Sequence, residues 1–174
     1  MPYKINFKHA DDIIADLDTY LPNVVDPMLK IKYVGFVSVA AVTCYENAVK
    51  EICCTYADSI NQTFGTFVSN YFERINGRIR INNIRGDYLS KFGDSYCKAF
   101  DQYLRIENDE FLKSDHRDFM TAYENLITWR HAFTHEGSFR TSTTTYEEVV
   151  QAYQDGKMVL SCLHSSLFKR ISGI

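Results

Sequence analysis

The stretch LITWRHAFTHEG, residues 126–137, gathers Arg130, His131 and His135, three side chains able to do chemistry. Arginine offers a permanent cation in a planar fork that fits phosphate or carboxylate, and imidazole offers a proton exchanger with an unperturbed pKa of about 6.5. On a helix, Arg130 lies four residues after Leu126, three after Ile127 and three before Phe133, so its guanidinium projects into an otherwise apolar stripe. Such a charge needs a partner, because burying it alone costs several kcal/mol. A structural arginine bonded to a core carboxylate and a functional cation fit that placement equally well.

Glu46 is the matching carboxylate. It sits four residues after Val42, three before Val49 and seven before Cys53, in or beside the apolar face of its helix. Glu46 and Arg130 are expected to meet across two packed helices, where the pair either orients the arginine or serves only as a bridge; spacing alone favours the bridge. His131 and His135 stand at i, i+4, a spacing that lets two imidazoles share one metal. The metal reading is disfavoured: Ala132 stands where H-E-x-x-H needs an acid, no third ligand is near in sequence, and Glu136 is badly placed for the same ion. No metal or cofactor is assigned. His9, His116 and His164 are isolated and read as surface or packing residues.

A second cluster is basic. In RINGRIRINNIRGDY, residues 74–88, Arg74, Arg78, Arg80 and Arg85 alternate with Ile75, Ile79, Ile81 and Ile84, flanked by only Glu73 and Asp87. This segment could follow a phosphate backbone, with Tyr71 and Tyr88 available for base stacking; a solvated face is the slightly favoured alternative. There is no Gly-rich phosphate loop, G-x-S-x-G elbow or EF-hand loop. The five cysteines, Cys44, Cys53, Cys54, Cys97 and Cys162, form no C-x-x-C pair, read as small core residues, and point to a reducing, cytoplasmic setting.

The elements that must position these groups read as helices. A first one is expected over about Ala10 to Leu21, stopped by Pro22. Asp26-Pro27, an N-cap followed by Pro, opens a long helix reaching Ser59 or Ile60; although Val34 to Val42 is rich in β-branched residues, positions 34, 37, 41, 45, 49, 52 and 56 keep a 3.6-residue period. Phe64, Phe67, Val68, Tyr71 and Phe72 have helical spacing, and Leu89, Phe92, Tyr96, Phe100 and Leu104 suggest one helix or two broken near Gly93. From an N-cap at about Ser114, a helix carries Phe119, Tyr123, Leu126, Arg130 and Phe133 on one stripe and ends near Gly137. After the polar SFRTSTTT segment, Thr144-x-x-Glu147 and Thr145-x-x-Glu148 both match a capping box for a last helix with Val149, Tyr153, Leu160, Leu163 and Leu167 inward. Gly156 within it suggests a close helix crossing.

At 174 residues and 20.2 kDa the chain makes one domain, 1–174, able to fold without disulfides or a structural metal. A hydrophobic share of 45% with 24% charged residues excludes a disordered chain, and only 3 Pro and 8 Gly favour long helices over a turn-rich β fold. With 19 basic against 22 acidic residues the net charge of −3 argues against a general nucleic-acid coat, so any polyanion site is local. The apolar stretch from Tyr33 to Tyr45 stops at Glu46, and no membrane span or signal core is expected.

Arg130-x4-His135 near the end of a helix, in an all-α chain of this size, resembles the R-x(4–6)-H motif of the HEPN superfamily. The segment GFVSVAAVTCYENAVKEICCTYA resembles the second helix of the HEPN group linked to RiboL-PSP proteins, with Glu46 at the acidic position. The resemblance covers about residues 27–60 and 115–137 and implies an all-α, HEPN-like helical bundle with additional short helices. It further implies a homodimeric, metal-independent endoribonuclease in which Arg130 and His135 are catalytic and Glu46 supports them. His131 stands where such proteins often carry Asn and is grouped with the supporting residues, its role left open among binding RNA, assisting proton transfer and only supporting the cleft. Implied partners are RNA and an antitoxin or defence-system protein, in phage defence or a toxin–antitoxin pair. The alternative is a catalytically silent HEPN-like interaction module, an antitoxin or adaptor.

The implied chemistry is coherent. RNA supplies its own nucleophile in the 2′-OH, leaving a protein to move a proton and to stabilise charge on phosphorus oxygens, tasks suited to His and Arg. Five residues along a helix turn by about 140°, so Arg130 and His135 do not share a face. Either the helix end deforms or a dimer cleft gathers the two.

Overall fold

The computed structural model describes residues 1–73, 77–136 and 144–169. Among these the chain is all helical: α1 (Lys8–Tyr20), α2 (Pro27–Ile60), α3 (Gln62–Phe72), α4 (Ile81–Asn83), α5 (Asp94–Asp115), α6 (Phe119–Glu136) and α7 (Tyr146–Phe168). A 3-10 segment, Pro2–Phe7, precedes α1, and a π turn, Ile84–Tyr88, and a 3-10 turn, Leu89–Lys91, follow α4.

The central helix is α2, packed against α1, α3, α6 and α7. Its start follows from local chemistry: the Asp26 carboxylate accepts from the Met28 N–H at 2.9 Å, and Pro27 occupies the first turn, where its missing donor costs nothing. Val34, Val37, Ala41, Tyr45, Val49 and Ile52 are buried, so the expected stripe is the core face despite its β-branched residues. By length and apolarity α2 could cross a membrane, but half of its apolar window is buried in the bundle.

Two boundaries depart from the sequence expectation. Helical structure begins at Pro2 rather than Ala10, because Tyr3 and Phe7 anchor the first turns in the core. Ser114 is not the N-cap of α6. It belongs to the last turn of α5, which His116 ends in the left-handed region at φ 56°, and Asp118 caps α6 by accepting from Thr121 N–H at 2.9 Å. The break near Gly93 occurs as expected: at φ 130° this residue separates the Leu89–Lys91 turn from α5. Of the two candidate capping boxes, Thr145 and Glu148 form one at the start of α7.

The core is aromatic where α2, α6 and α7 meet. Tyr45 of α2 stacks between Tyr123 of α6, at 5.1 Å between centroids, and Tyr153 of α7, at 5.7 Å. The Tyr45 hydroxyl donates to the Tyr153 carbonyl, and Tyr153 in turn donates to that of Phe7 at 3.1 Å. Gly156 permits this crossing, since a Cβ there would lie 2.6 Å from the Tyr45 hydroxyl and 3.3 Å from the Tyr123 Cα. All five cysteines are unpaired; Cys44, Cys53 and Cys162 are buried and Cys54 and Cys97 half-buried.

Candidate active site

The site is set by the register of α6 on α2. Tyr45 faces Tyr123, and Gly35, ten residues earlier on α2, faces Phe133, ten later on α6, so the helices run antiparallel. A Cβ on Gly35 would fall 2.0 Å from the Phe133 ring, and only glycine lets the end of α6 lie this close. Arg130, seven residues after Tyr123 on α6, turns inward and meets Glu46, the residue after Tyr45 on α2.

The pair is loose. Arg130 Nη2 stands 3.7 Å from Glu46 Oε1, with side-chain exposures of 28% and 16%. That separation is an ion pair without a hydrogen bond, and Glu46 Oε1 and Arg130 Nε are buried with no hydrogen-bond partner among the described residues. Burial pushes the Glu46 carboxyl above its ordinary value, against the opposing pull of the Arg130 charge and the Gly77 backbone N–H.

Gly77 belongs to a strap, residues 77–80, laid across the pair. A Cβ on Gly77 would sit 2.9 Å from Arg130 Nη1 and 3.5 Å from Glu46 Oε1, and the residue has φ 77°. Two tyrosines fix the strap beyond it: Tyr88 donates to the Arg78 carbonyl at 2.8 Å and Tyr123 to the Ile79 carbonyl at 2.7 Å. Arg80 then reaches α6, where it bonds Glu124 at 2.5 Å and the Thr128 hydroxyl at 3.1 Å, while Ile81 N–H donates to the same glutamate at 2.8 Å.

The histidines lie elsewhere on the same helix. His131 and His135 are exposed one turn apart, their ring centroids at 4.3 Å, while α6 continues unbroken to Glu136. Arg130 and His135 therefore stay about 140° apart around the helix in a single chain. Among the described residues no third His, Cys, Asp or Glu joins the two imidazoles as a metal-holding group.

The basic segment divides. Arg74 lies outside the described residues. Arg78 is exposed, Arg80 is engaged by α6, and Arg85 lies 3.5 Å from Asp101 and 3.2 Å from the Asn82 side-chain oxygen. Tyr88 is 5% exposed with its hydroxyl on the strap, so it is not available for stacking as the sequence suggested; Tyr71 is exposed. Gly77 itself was missed by residue-type reasoning. Its only signal is the Asn76-Gly77 dipeptide, a general mark of a turn.

A family model matches residues 5–169, from the first 3-10 segment to the end of α7. The chain belongs to the RiboL-PSP-HEPN family. The match takes in Glu46, the strap and the whole of α6, so family membership rests on the entire bundle and not on Arg130 and His135 alone. No curated protein and no solved structure matches the chain. HEPN domains are often ribonucleases or parts of defence systems, and this RiboL-PSP-HEPN protein shares their all-helical architecture.

Proposed function

We propose that this RiboL-PSP-HEPN protein is a metal-independent endoribonuclease that works as a homodimer in phage defence or as the toxin of a toxin–antitoxin pair. The observation that carries the reading is the unsaturated Arg130–Glu46 pair: a guanidinium kept partly exposed and oriented by a carboxylate, with hydrogen-bonding capacity left over, beside a helix face bearing two exposed imidazoles. A bridge serving stability alone gains most when every donor and acceptor is used.

In this reading the 2′-oxygen of RNA attacks the adjacent phosphorus and gives up its proton, the bond to the 5′-oxygen breaks, and that oxygen takes a proton as it leaves, giving a 2′,3′-cyclic phosphate. His135 exchanges one of these protons, Arg130 balances charge on the phosphoryl oxygens, Glu46 and His131 support them, and Arg78 and Arg85 bind the RNA backbone, with Arg74. A two-fold dimer brings the inward Arg130 region and the outward His135 of the two chains to one cleft.

Purified protein incubated with RNA in EDTA is expected to leave 2′,3′-cyclic phosphate ends and to spare a substrate lacking the 2′-OH at the cut. Light scattering should give about 40 kDa, twice the 20.2 kDa chain. An absolute requirement for Mg²⁺ overturns the mechanism, and absence of cleavage together with tight binding of a protein partner identifies a silent interaction module.

A further inference from the structure

Gly77 has three properties that coincide at one point. Its φ of 77° is one that L side chains rarely adopt, and the space a Cβ would fill is taken by the Arg130 guanidinium and the Glu46 carboxylate. Its backbone N–H is the peptide donor that favours the charged form of that carboxylate. The three residues after it are tied down by the Tyr88 and Tyr123 hydroxyls, from two other parts of the chain, and by the bonds of Arg80 to Glu124 and Thr128 of α6. A loop that merely crossed the surface would need none of these ties.

We infer that the strap is a positioning device for the proposed active site: the Gly77 backbone, held by the Tyr88 and Tyr123 hydroxyls, presses on the Arg130–Glu46 pair and fixes where the guanidinium points. The inference rests on the ribonuclease reading for its consequence but not for its geometry. Because the pair lacks direct hydrogen bonds of its own, the strap supplies the restraint that the pair does not. Tyr123 serves twice, stacking on Tyr45 in the core and holding Ile79 in the strap, so the site is tied to the stacked tyrosines where α2, α6 and α7 meet. Arg80 is on this account an anchor on α6.

The experiment uses the full chain and three variants, Gly77→Ala, Tyr88→Phe and Tyr123→Phe; the tyrosine changes keep the rings and remove the ties, so they serve if Gly77→Ala does not fold. Carbon-13 NMR follows titration of the Glu46 carboxyl, whose facing groups are Arg130 of α6, the Gly77 N–H and the Tyr123 ring, and nitrogen-15 NMR follows the Arg130 Nε–H. In the folded variants the Glu46 midpoint is expected to move further up as the amide and guanidinium withdraw, and the Arg130 signal to shift or broaden. With RNA, kcat should fall about 10- to 100-fold with KM within about threefold, the signature of lost alignment rather than lost binding. Unchanged Glu46 and Arg130 signals in every folded variant overturn the inference, as does unchanged kcat in variants whose signals have moved. If the wild-type chain cuts no RNA, the ribonuclease reading fails while the NMR arm still decides whether the strap holds the pair.

Discussion

Two of the guanidinium–carboxylate pairs among the described residues, both involving α6 or the turn into it, are built differently. Arg117, at the turn into α6, meets Asp155 of α7 in a two-pronged contact, Nε to Oδ2 at 2.8 Å and Nη2 to Oδ1 at 3.2 Å. Gln151 adds a third bond to that carboxylate at 2.8 Å, and Asp155 is only 6% exposed. At Arg130 and Glu46 the closest approach is 3.7 Å and atoms on both sides lack partners among the described residues. On the proposed reading, the difference separates a bridge that holds helices from a charge with hydrogen-bonding capacity left for a ligand.

The sharpest way to break the comparison is at the reacting groups. His135→Ala is expected to lower RNA cleavage by about 10²- to 10⁴-fold with an unchanged melting curve, since the ring is exposed. Arg130→Lys should be nearly as damaging, because an ammonium cannot reproduce the planar fork. A His135→Ala enzyme cutting at the wild-type rate would remove the residue from the mechanism.

The opposite effect is expected at the saturated pair. Asp155→Ala should lower the thermal midpoint by roughly 5 °C while cleavage measured well below that midpoint stays within a few-fold of wild type. Loss of activity without loss of stability would show that the two pairs are not divided as described.

Glu46 gives a smaller, pH-dependent signal. Its folded pKa is raised above the ordinary 4.5, so the folded state holds its proton more tightly than the unfolded chain. The stability it contributes is fully present below about pH 4.5 and is lost as pH rises through the folded value. Denaturant titrations of wild type and Glu46→Gln across that window should show a stability difference drifting against wild type as pH increases; a difference that drifts the other way would mean that Arg130 dominates burial. The smallest expected effect is at the surface: Arg78→Ala with Arg85→Ala should flatten the salt dependence of RNA binding by about one to two units of slope, leaving kcat unchanged.

What was legible in the sequence was what short-range chemistry decides. Asp26-Pro27 announced α2 because the cap and the proline act within one turn, and Glu46 and Arg130 announced each other because each was a charge on an apolar stripe. What was hidden depends on distant partners. The start of α6 at Asp118 follows from a left-handed residue, His116, that has no glycine to mark it. Asp155, beside Gly156, gave no pattern signal, since its partner lies 38 residues away. The strap was read as a charged surface because its role depends on a tyrosine hydroxyl 44 residues on. Arg130 and His135 are separate in one chain for the plain reason that α6 stays regular past both.

The stacked tyrosines of the core carry a consequence for alkaline solution. Burial holds the Tyr45 and Tyr123 phenols well above their ordinary value of 10, and Tyr153 is raised as well. Their hydroxyl protons are engaged on the carbonyls of Tyr153, Ile79 and Phe7. Buried and engaged in this way, these three phenols release their protons only when the bundle opens. Phenolate absorbance is thus an intrinsic optical alarm for global unfolding: the three core rings add an abrupt step at the pH where α2, α6 and α7 come apart together.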